Sequence, residues 1–459
     1  MKNSDSPRPD QRVSQQREIL RLAVPAFLAL VAEPLFLLAD SAIIGHLGTT
    51  QLAGLGVASA ALITAANLFI FLAYGTTSIV ARHVGAGSER AAVGAGVDGL
   101  WLAIGIGLVV GALVAAYAAP LCELFDASPA ALAQAVIYLR VSAAGIPAML
   151  VALAVTGVLR GLQDTKTPLI ASVTGFSANI VLNLIFVYGL NLGIAGSALG
   201  TVLAQSGMAA ALVIVVTRRA RQLGASLRPH PARVLRAGLD GIPLLVRTLA
   251  LRTVLLITAW VAAGLGDVPL AAYQVAATIW TFLAFSLDAL AIAAQALTGR
   301  ALGAGDIASA RSATRTMLRW GVIGGAVLGF LVLATHSVLP VLFTPDPAVQ
   351  SVLASALIVV GLSQPIAGFV FVLDGVLIGA GDGLWLAIAQ VVVLALYLPL
   401  ILLVRASGPS LLAGTDTVAG QGHAIFVLWL AFVAFMALRG LALGWRARGD
   451  AWLITGATR

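Results

Sequence analysis

The sequence predicts an all-α integral membrane protein with twelve transmembrane helices, set out as two six-helix lobes that form a parallel repeat. Three observations predict it. Of 459 residues, 60% are hydrophobic and 10% charged, and mean hydropathy is +1.01; a soluble domain carries about 25% charged residues and could not hide so much apolar surface. The apolar residues run in stretches of roughly 20 or more, long enough to cross the hydrocarbon core as helices, and the charges collect in the connectors between them. Finally, Pro25 recurs as Pro243, and the same shift of 218 positions aligns other scarce residues along the chain.

The spans fall near 19–45, 53–81, 93–118, 131–159, 168–190 and 194–217, then near 239–265, 270–297, 316–338, 350–379, 384–405 and 423–445. Segment 1–18 reads as a polar N-terminal tail, 19–217 as the first lobe, 218–238 as a basic linker, 239–446 as the second lobe and 447–459 as a C-terminal tail. The first span is longer than the apolar core of a signal peptide and is followed by others, so it reads as a retained helix. Ala406–Gly422, rich in Gly, Ser and Thr, reads as a flexible outer loop. A β-barrel would show segments of about ten alternating residues, and the chain shows continuous apolar runs instead.

Arginine sets the orientation. Arg8, Arg12, Arg17 and Arg21 open the chain, Arg82 and Arg90 follow span two, and Arg160 and Lys166 follow span four. Six arginines crowd the linker, Arg300, Arg311 and Arg315 follow span eight, and Arg446 and Arg448 follow span twelve. All lie on one side. The opposite connectors carry Glu123, Asp126, Asp267 and Asp346, so the positive-inside rule puts both termini in the cytoplasm. The net charge of +8 therefore reads as membrane orientation, and no nucleic-acid partner is expected.

The repeat needs no gap. It carries Arg82 and Gly85-Ala86-Gly87 onto Arg300 and Gly303-Ala304-Gly305, Pro129 onto Pro347, Pro147 onto Pro365, Gly161 onto Gly379 and Asp164 onto Asp382. Six spans return the chain to its starting side, so the halves share one orientation. That geometry suits a central cavity opened to each side in turn by rocking lobes.

Ionisable residues inside spans cost roughly 2.5 to 3.5 kcal/mol each and need a reason. Asp40 is the leading candidate, with Glu33 about two turns earlier on the same face and Pro25 and Pro34 able to bend the helix. In apolar surroundings its charged form is costly, so it is suited to gain and lose a proton; the plainer reading is a carboxylate that reaches water at a helix end. Asn179 and Asn183, four residues apart, face one way, and with Thr201 they are placed to hydrogen-bond Asp40 or simply to tie helices together.

In the second half stand Arg247, Arg252, Asp288 and Asp374. An Arg247–Asp288 structural pair is one reading, and a second ion or substrate site is the other; Asp374, near a helix end, carries less weight. The two Gly-Ala-Gly turns lack the lysine of a phosphate loop and no ATPase motif occurs, so energy is expected from an ion gradient. Cys122 is the one cysteine and no Cys/His cluster has ligand spacing, so neither disulfide, metal nor cofactor is expected. No nucleophile and base pair assembles, and the chain does not read as an enzyme.

Glu33-Pro34 through Asp40-Ser41, Gly45-His46-Leu47-Gly48, Leu52-Ala53 and Arg160-Gly161-Leu162-Gln163-Asp164-Thr165-Lys166-Thr167-Pro168 resemble the multidrug and toxic compound extrusion family, in its DNA-damage-inducible F branch. The resemblance covers about Arg17 to Arg448. It implies two six-helix lobes forming a V that export organic, often cationic and amphipathic compounds in exchange for H⁺ or Na⁺. It further implies Asp40 as the coupling carboxylate, Pro25 as the bend of span one, and Asn179 and Thr201 as polar partners. Asn183 departs from relatives that carry Asp there, which favours proton coupling through Asp40 alone. Arg247 and Asp288 resemble citrate-exporting plant members, which keeps an organic anion open as cargo. A lipid-linked oligosaccharide flippase would line its cavity with several arginines and carry extra spans. The expectation is a monomeric exporter of small molecules, with membrane lipid around it, in the bacterial cytoplasmic membrane.

Overall fold

The computed structural model describes residues 9–125, 127–412 and 417–458; the side chains of 9–15, Glu33, 409–412 and 417 lie outside that description. Within it every regular element is helical. The first half holds α1 (Pro9–Gly45), α2 (Thr49–Leu68), α3 (Phe71–Gly85), α4 (Glu89–Ala116), α5 (Ala118–Glu123), α6 (Pro129–Ala143), α7 (Ile146–Gly161), α8 (Lys166–Leu184, continued as a π-helical turn over Ile185–Gly189) and α9 (Gly193–Gln222). The second holds α10 (Pro231–Ala263), α11 (Asp267–Gly303), α12 (Ile307–Thr335), α13 (Leu339–Phe343), α14 (Pro347–Gly379), α15 (Gly383–Leu412) and α16 (Thr417–Arg448).

Among the described residues eleven stretches are long and apolar enough to cross a membrane, and twelve when α6 and α7, bent by 53° between them, count as one span. The elements follow the shift of 218: Thr49 and Asp267 open α2 and α11, Glu89 and Ile307 open α4 and α12, Pro129 and Pro347 open α6 and α14, and Gly161 and Gly379 close α7 and α14. The halves differ in continuity. Pro147 sits in the first turn of α7 after the bend, where its missing N–H costs nothing. Its counterpart Pro365 lies inside the unbroken α14.

Two starts are fixed by side-chain caps: the Ser128 hydroxyl accepts from the Ala131 amide at 3.4 Å and Asp346 Oδ1 accepts from Ala348 at 2.8 Å, each followed by proline. Asp164, in the sequence's longest distinctive motif, takes the Thr167 amide at 3.0 Å and its hydroxyl at 2.6 Å, tying off the start of α8. The flexible outer loop expected over Ala406–Gly422 is largely helix: α15 runs to Leu412 and α16 starts at Thr417. A single glycine inside a helix costs only about 1 kcal/mol relative to alanine, so Gly408 does not stop α15; 413–416, like 1–8, Asp126 and Arg459, lie outside the described residues.

Two compact units form: Leu20–Leu245 with Gly299–Asp306 and the segment from Thr455, and the remainder, comprising the start of α1, Val246–Thr298 and Ile307–Ile454. In the first unit the linker is packed. Arg233 pairs with buried Asp98 at 3.3 Å, and Trp101 Nε1 donates to the Leu227 carbonyl at 3.0 Å. Here too the repeated turns meet reciprocally: a Cβ on Gly85 would lie 2.0 Å from the Arg300 carbonyl oxygen, and one on Gly303 2.0 Å from that of Arg82. Only glycine lets the backbones approach so closely. The Gly456 amide donates to Leu302 O at 3.0 Å and its carbonyl accepts from Arg82 Nε at 3.1 Å, so the C-terminal segment is docked there.

In the second unit α14 is the most buried span. Gly321, Gly325 and Gly329 of α12, one per turn, face Gly368, Gln364 and Gly361, and a Cβ on Gly368 would meet the Gly321 oxygen at 1.9 Å. Small residues thus let α12 and α14 touch backbone to backbone, the packing available where lipid tails are as apolar as leucine. Leu108, Val109, Leu256, Phe330 and Leu403 stand exposed, on faces that only hydrocarbon would cover favourably.

Candidate functional site

Four buried carboxylates stand in the described spans and their connectors: Asp40, Asp98, Asp374 and Asp382. Three face arginine. Asp98 meets Arg233, Asp374 meets Arg247 and Arg439, and Asp382 meets Arg446 through bonds of 2.7 and 3.2 Å. Asp40, 2% exposed, has no ion pair among the described residues and is held by neutral donors only.

Those donors come from three helices of the first unit. Asn183 Nδ2 of α8 and the Ser197 hydroxyl of α9 both donate to Asp40 Oδ1, at 2.6 and 2.8 Å, and the Tyr138 hydroxyl of α6 donates to Oδ2 at 3.4 Å. One turn along α8 and α9, Asn179 Nδ2 donates to Thr201 Oγ1 at 3.0 Å. The i to i+4 spacing puts each pair on one helix face, so the two helices present two successive polar rungs. Gly200 makes room: a Cβ there would lie 2.2 Å from Asn183 Oδ1. The Oδ1 atoms of Asn179 and Asn183 are buried and without a donor among the described residues.

An apolar cluster that includes Ile44, Leu55, Cys122, Leu139, Val187 and Ala198, and Tyr138 itself, encloses one side of this network. Next to the second rung Phe36 stacks on Phe176, ring centres 5.0 Å apart, beside a cavity of about 10 Å³ that Asn179, Thr201, Gln205 and Met208 also line. Apolar enclosure costs the Asp40 anion several kcal/mol, while each donor to the charged form returns about 1.5–3 kcal/mol.

Of the residues singled out from sequence, Asp40 and Asn183 are in contact, while Asn179 and Thr201 bond to each other. Pro25 lies inside α1 and the Glu33 side chain lies outside the described part. Sequence reasoning missed Tyr138 and Ser197. Ser197 is four residues before Thr201, a spacing that could have found it; Tyr138 has no such pattern.

The second unit holds a charged cluster. Arg247 Nε donates to Asp374 Oδ1 at 3.1 Å, its Nη2 also grips that carboxylate, and Arg439 Nη2 reaches Oδ1 at 3.0 Å. The partner shown for Arg247 is thus Asp374, the carboxylate that sequence position weighted least; Asp288 stands half-buried on α11. Helix length misled here, because α14 carries Asp374 deep inside the unit despite its place near the helix end. No group of three or more potential metal ligands occurs among the described residues.

The MatE family model matches residues 25–185 and again 243–403, two copies 218 residues apart at both ends. Protein DETOXIFICATION 44, chloroplastic, of Arabidopsis thaliana is 32% identical over 94% of this chain and 81% of its own length. DNA damage-inducible protein F of Escherichia coli (strain K12) is 30% identical over 96% and 94%. In fold, the chain is similar to the Vibrio cholerae MATE transporter VcmN in its bent form, with TM-score 0.82 and 20% identity over 96% of this chain and 99% of that one. A MOP superfamily transporter from Pyrococcus furiosus gives TM-score 0.82 at 21% identity, over 95% and 96%.

Proposed function

Because the chain belongs to the MatE family of integral membrane transporters, we propose that it is a proton-coupled exporter of organic, cationic or amphipathic compounds, with Asp40 as the coupling carboxylate. The observation that carries this reading is that, among the described residues, Asp40 is the buried carboxylate without an arginine. Protonating Asp98, Asp374 or Asp382 would strand a guanidinium. Protonating Asp40 strands nothing, since its partners are a hydroxyl, a phenol and an amide, and it removes the cost of a buried charge. A proton entering from outside neutralises Asp40, and the loosened Asn183 and Ser197 donors let α1 shift against α8 and α9. Release of the proton inward resets the network. The cell's pH gradient thereby drives the two-sided access of the cavity, in a cytoplasmic membrane with both termini inside, as the arginine distribution supports.

The orphan oxygens of Asn179 and Asn183 favour a second reading, Na⁺ coupling, because oxygen ligands beside a carboxylate suit a hard cation. Reconstituted protein transporting a cationic dye under separately imposed H⁺ and Na⁺ gradients decides between them. Asp40→Asn is expected to abolish pH-driven efflux; full transport by that variant overturns the reading.

A further inference from the structure

We propose that residues 455–458 form a latch that holds together the two repeated turns, at the ends of α3 and α11, on the arginine-rich side of the protein. One residue makes the connection. The Gly456 amide donates to the Leu302 carbonyl at 3.0 Å, and its carbonyl accepts from Arg82 Nε at 3.1 Å. A single glycine thus joins the last turn of α3, in the first copy of the repeat, to the last turn of α11, in the second. Its φ is +113°, a backbone conformation that other residues adopt only with strain. The stretch before it is anchored: Trp452 is 2% exposed and donates Nε1 to the Ala447 carbonyl at 3.2 Å, and Asp450 pairs with Arg311.

The repeat points to the same role. Arg300, the counterpart of Arg82, donates Nη1 to Gln163 Oε1 at 2.6 Å. A symmetric contact would set Arg82 against the counterpart of Gln163, and the shift of 218 puts Gly381 there. Gly381 shares the positive φ of Gln163, +71° against +62°, but has no side-chain amide. The Gly456 carbonyl gives Arg82 an amide oxygen of the same kind. In a parallel repeat that opens to each side in turn, contacts between the copies at one face break when that face opens. The copies touch backbone to backbone at Gly85 and Gly303, and the two hydrogen bonds through Gly456 are given up with that contact. Bonds of this kind together bias a two-state equilibrium about tenfold. The latch therefore favours the state closed on this side and sets how often it opens. It presupposes the two-sided access proposed above and is independent of Asp40 and its ion.

The test is the distance between spin labels on Ala86→Cys and Ala304→Cys, the exposed middle residues of the two turns. It is measured by electron paramagnetic resonance on the full chain in lipid nanodiscs, in a Cys122→Ala background that removes the native thiol. The parent is expected to give mainly one short distance. Gly456→Val, strained at this φ, is expected to raise a second, longer population about tenfold relative to the first. A chain ended after Ile454 is expected to do the same, and Thr458→Ala, at an exposed position, to match the parent. Near-ultraviolet circular dichroism of each variant checks that packing is intact. Asp40→Asn is expected to leave the response to Gly456→Val in place, so a failed coupling reading and a failed latch give different results. A distance distribution unchanged in both latch variants overturns the proposal, as does a change that appears only where the near-ultraviolet signal is lost.

Discussion

Replacing Asp374 with asparagine is expected to destabilise the second unit severely. The carboxylate, 8% exposed, accepts two bonds from Arg247 and one from Arg439. Asparagine keeps the shape but loses the charge, and its amide nitrogen meets guanidinium N–H groups head on. Two buried cations are then left without their carboxylate. Removing one member of a buried ion pair costs about 3–5 kcal/mol, because the charge that remains is uncompensated. At about 2–4 °C per kcal/mol for a unit of roughly 200 residues, the midpoint of unfolding falls by roughly 6 to 20 °C. Circular dichroism of the detergent-purified protein reads this directly. Arg439→Gln is the internal comparison: it leaves Arg247 and Asp374 paired and costs only a charge-assisted bond, about 1.5–3 kcal/mol. A midpoint within about 2 °C of the parent for Asp374→Asn, or a larger loss for Arg439→Gln, refutes the charge argument.

Other outcomes follow from close approaches. Gly200→Ala is expected to push the Asn183 amide off Asp40 and to cut transport in proteoliposomes at least tenfold, whereas Gly207→Ala on the same helix, where a Cβ meets nothing within 4 Å, leaves it intact. Gly303→Ala and Gly85→Ala each need a backbone to retreat from a 2.0 Å contact, and overpacking of this kind costs about 1–3 kcal/mol or more; Gly105→Ala, in open space, serves as the control for thermal shift. Ser197→Ala removes a 2.8 Å donor to Asp40 and is expected to change the pH profile of transport without lowering the unfolding midpoint by more than about 1.5 kcal/mol equivalent. Ser128→Ala is expected to cost about 1 kcal/mol, read by thermal unfolding, through loss of the α6 cap.

The sequence by itself determined the membrane class, the spans and the duplication, because all three are written in one dimension. Lipid demands runs of apolar residues, and a gene repeated without gaps leaves scarce Pro, Gly and Arg at a constant spacing, which the paired starts of α4 and α12 and of α6 and α14 reproduce. Asp40 was legible for the same reason: an ionisable residue inside an apolar run stands out wherever it points. Partners were not legible. Tyr138 and Ser197 reach Asp40 across 98 and 157 residues of chain, and Asp374 reaches Arg247 across 127. Tyrosine and serine are cheap enough in a helix to pass unnoticed there, and Asp374 drew less weight than Asp288 because depth in a packed unit is not read from distance to a helix end. Tertiary structure decided which of the buried carboxylates in the described residues are answered by arginine and which one is left to neutral donors, because each of those contacts joins residues far apart in the chain.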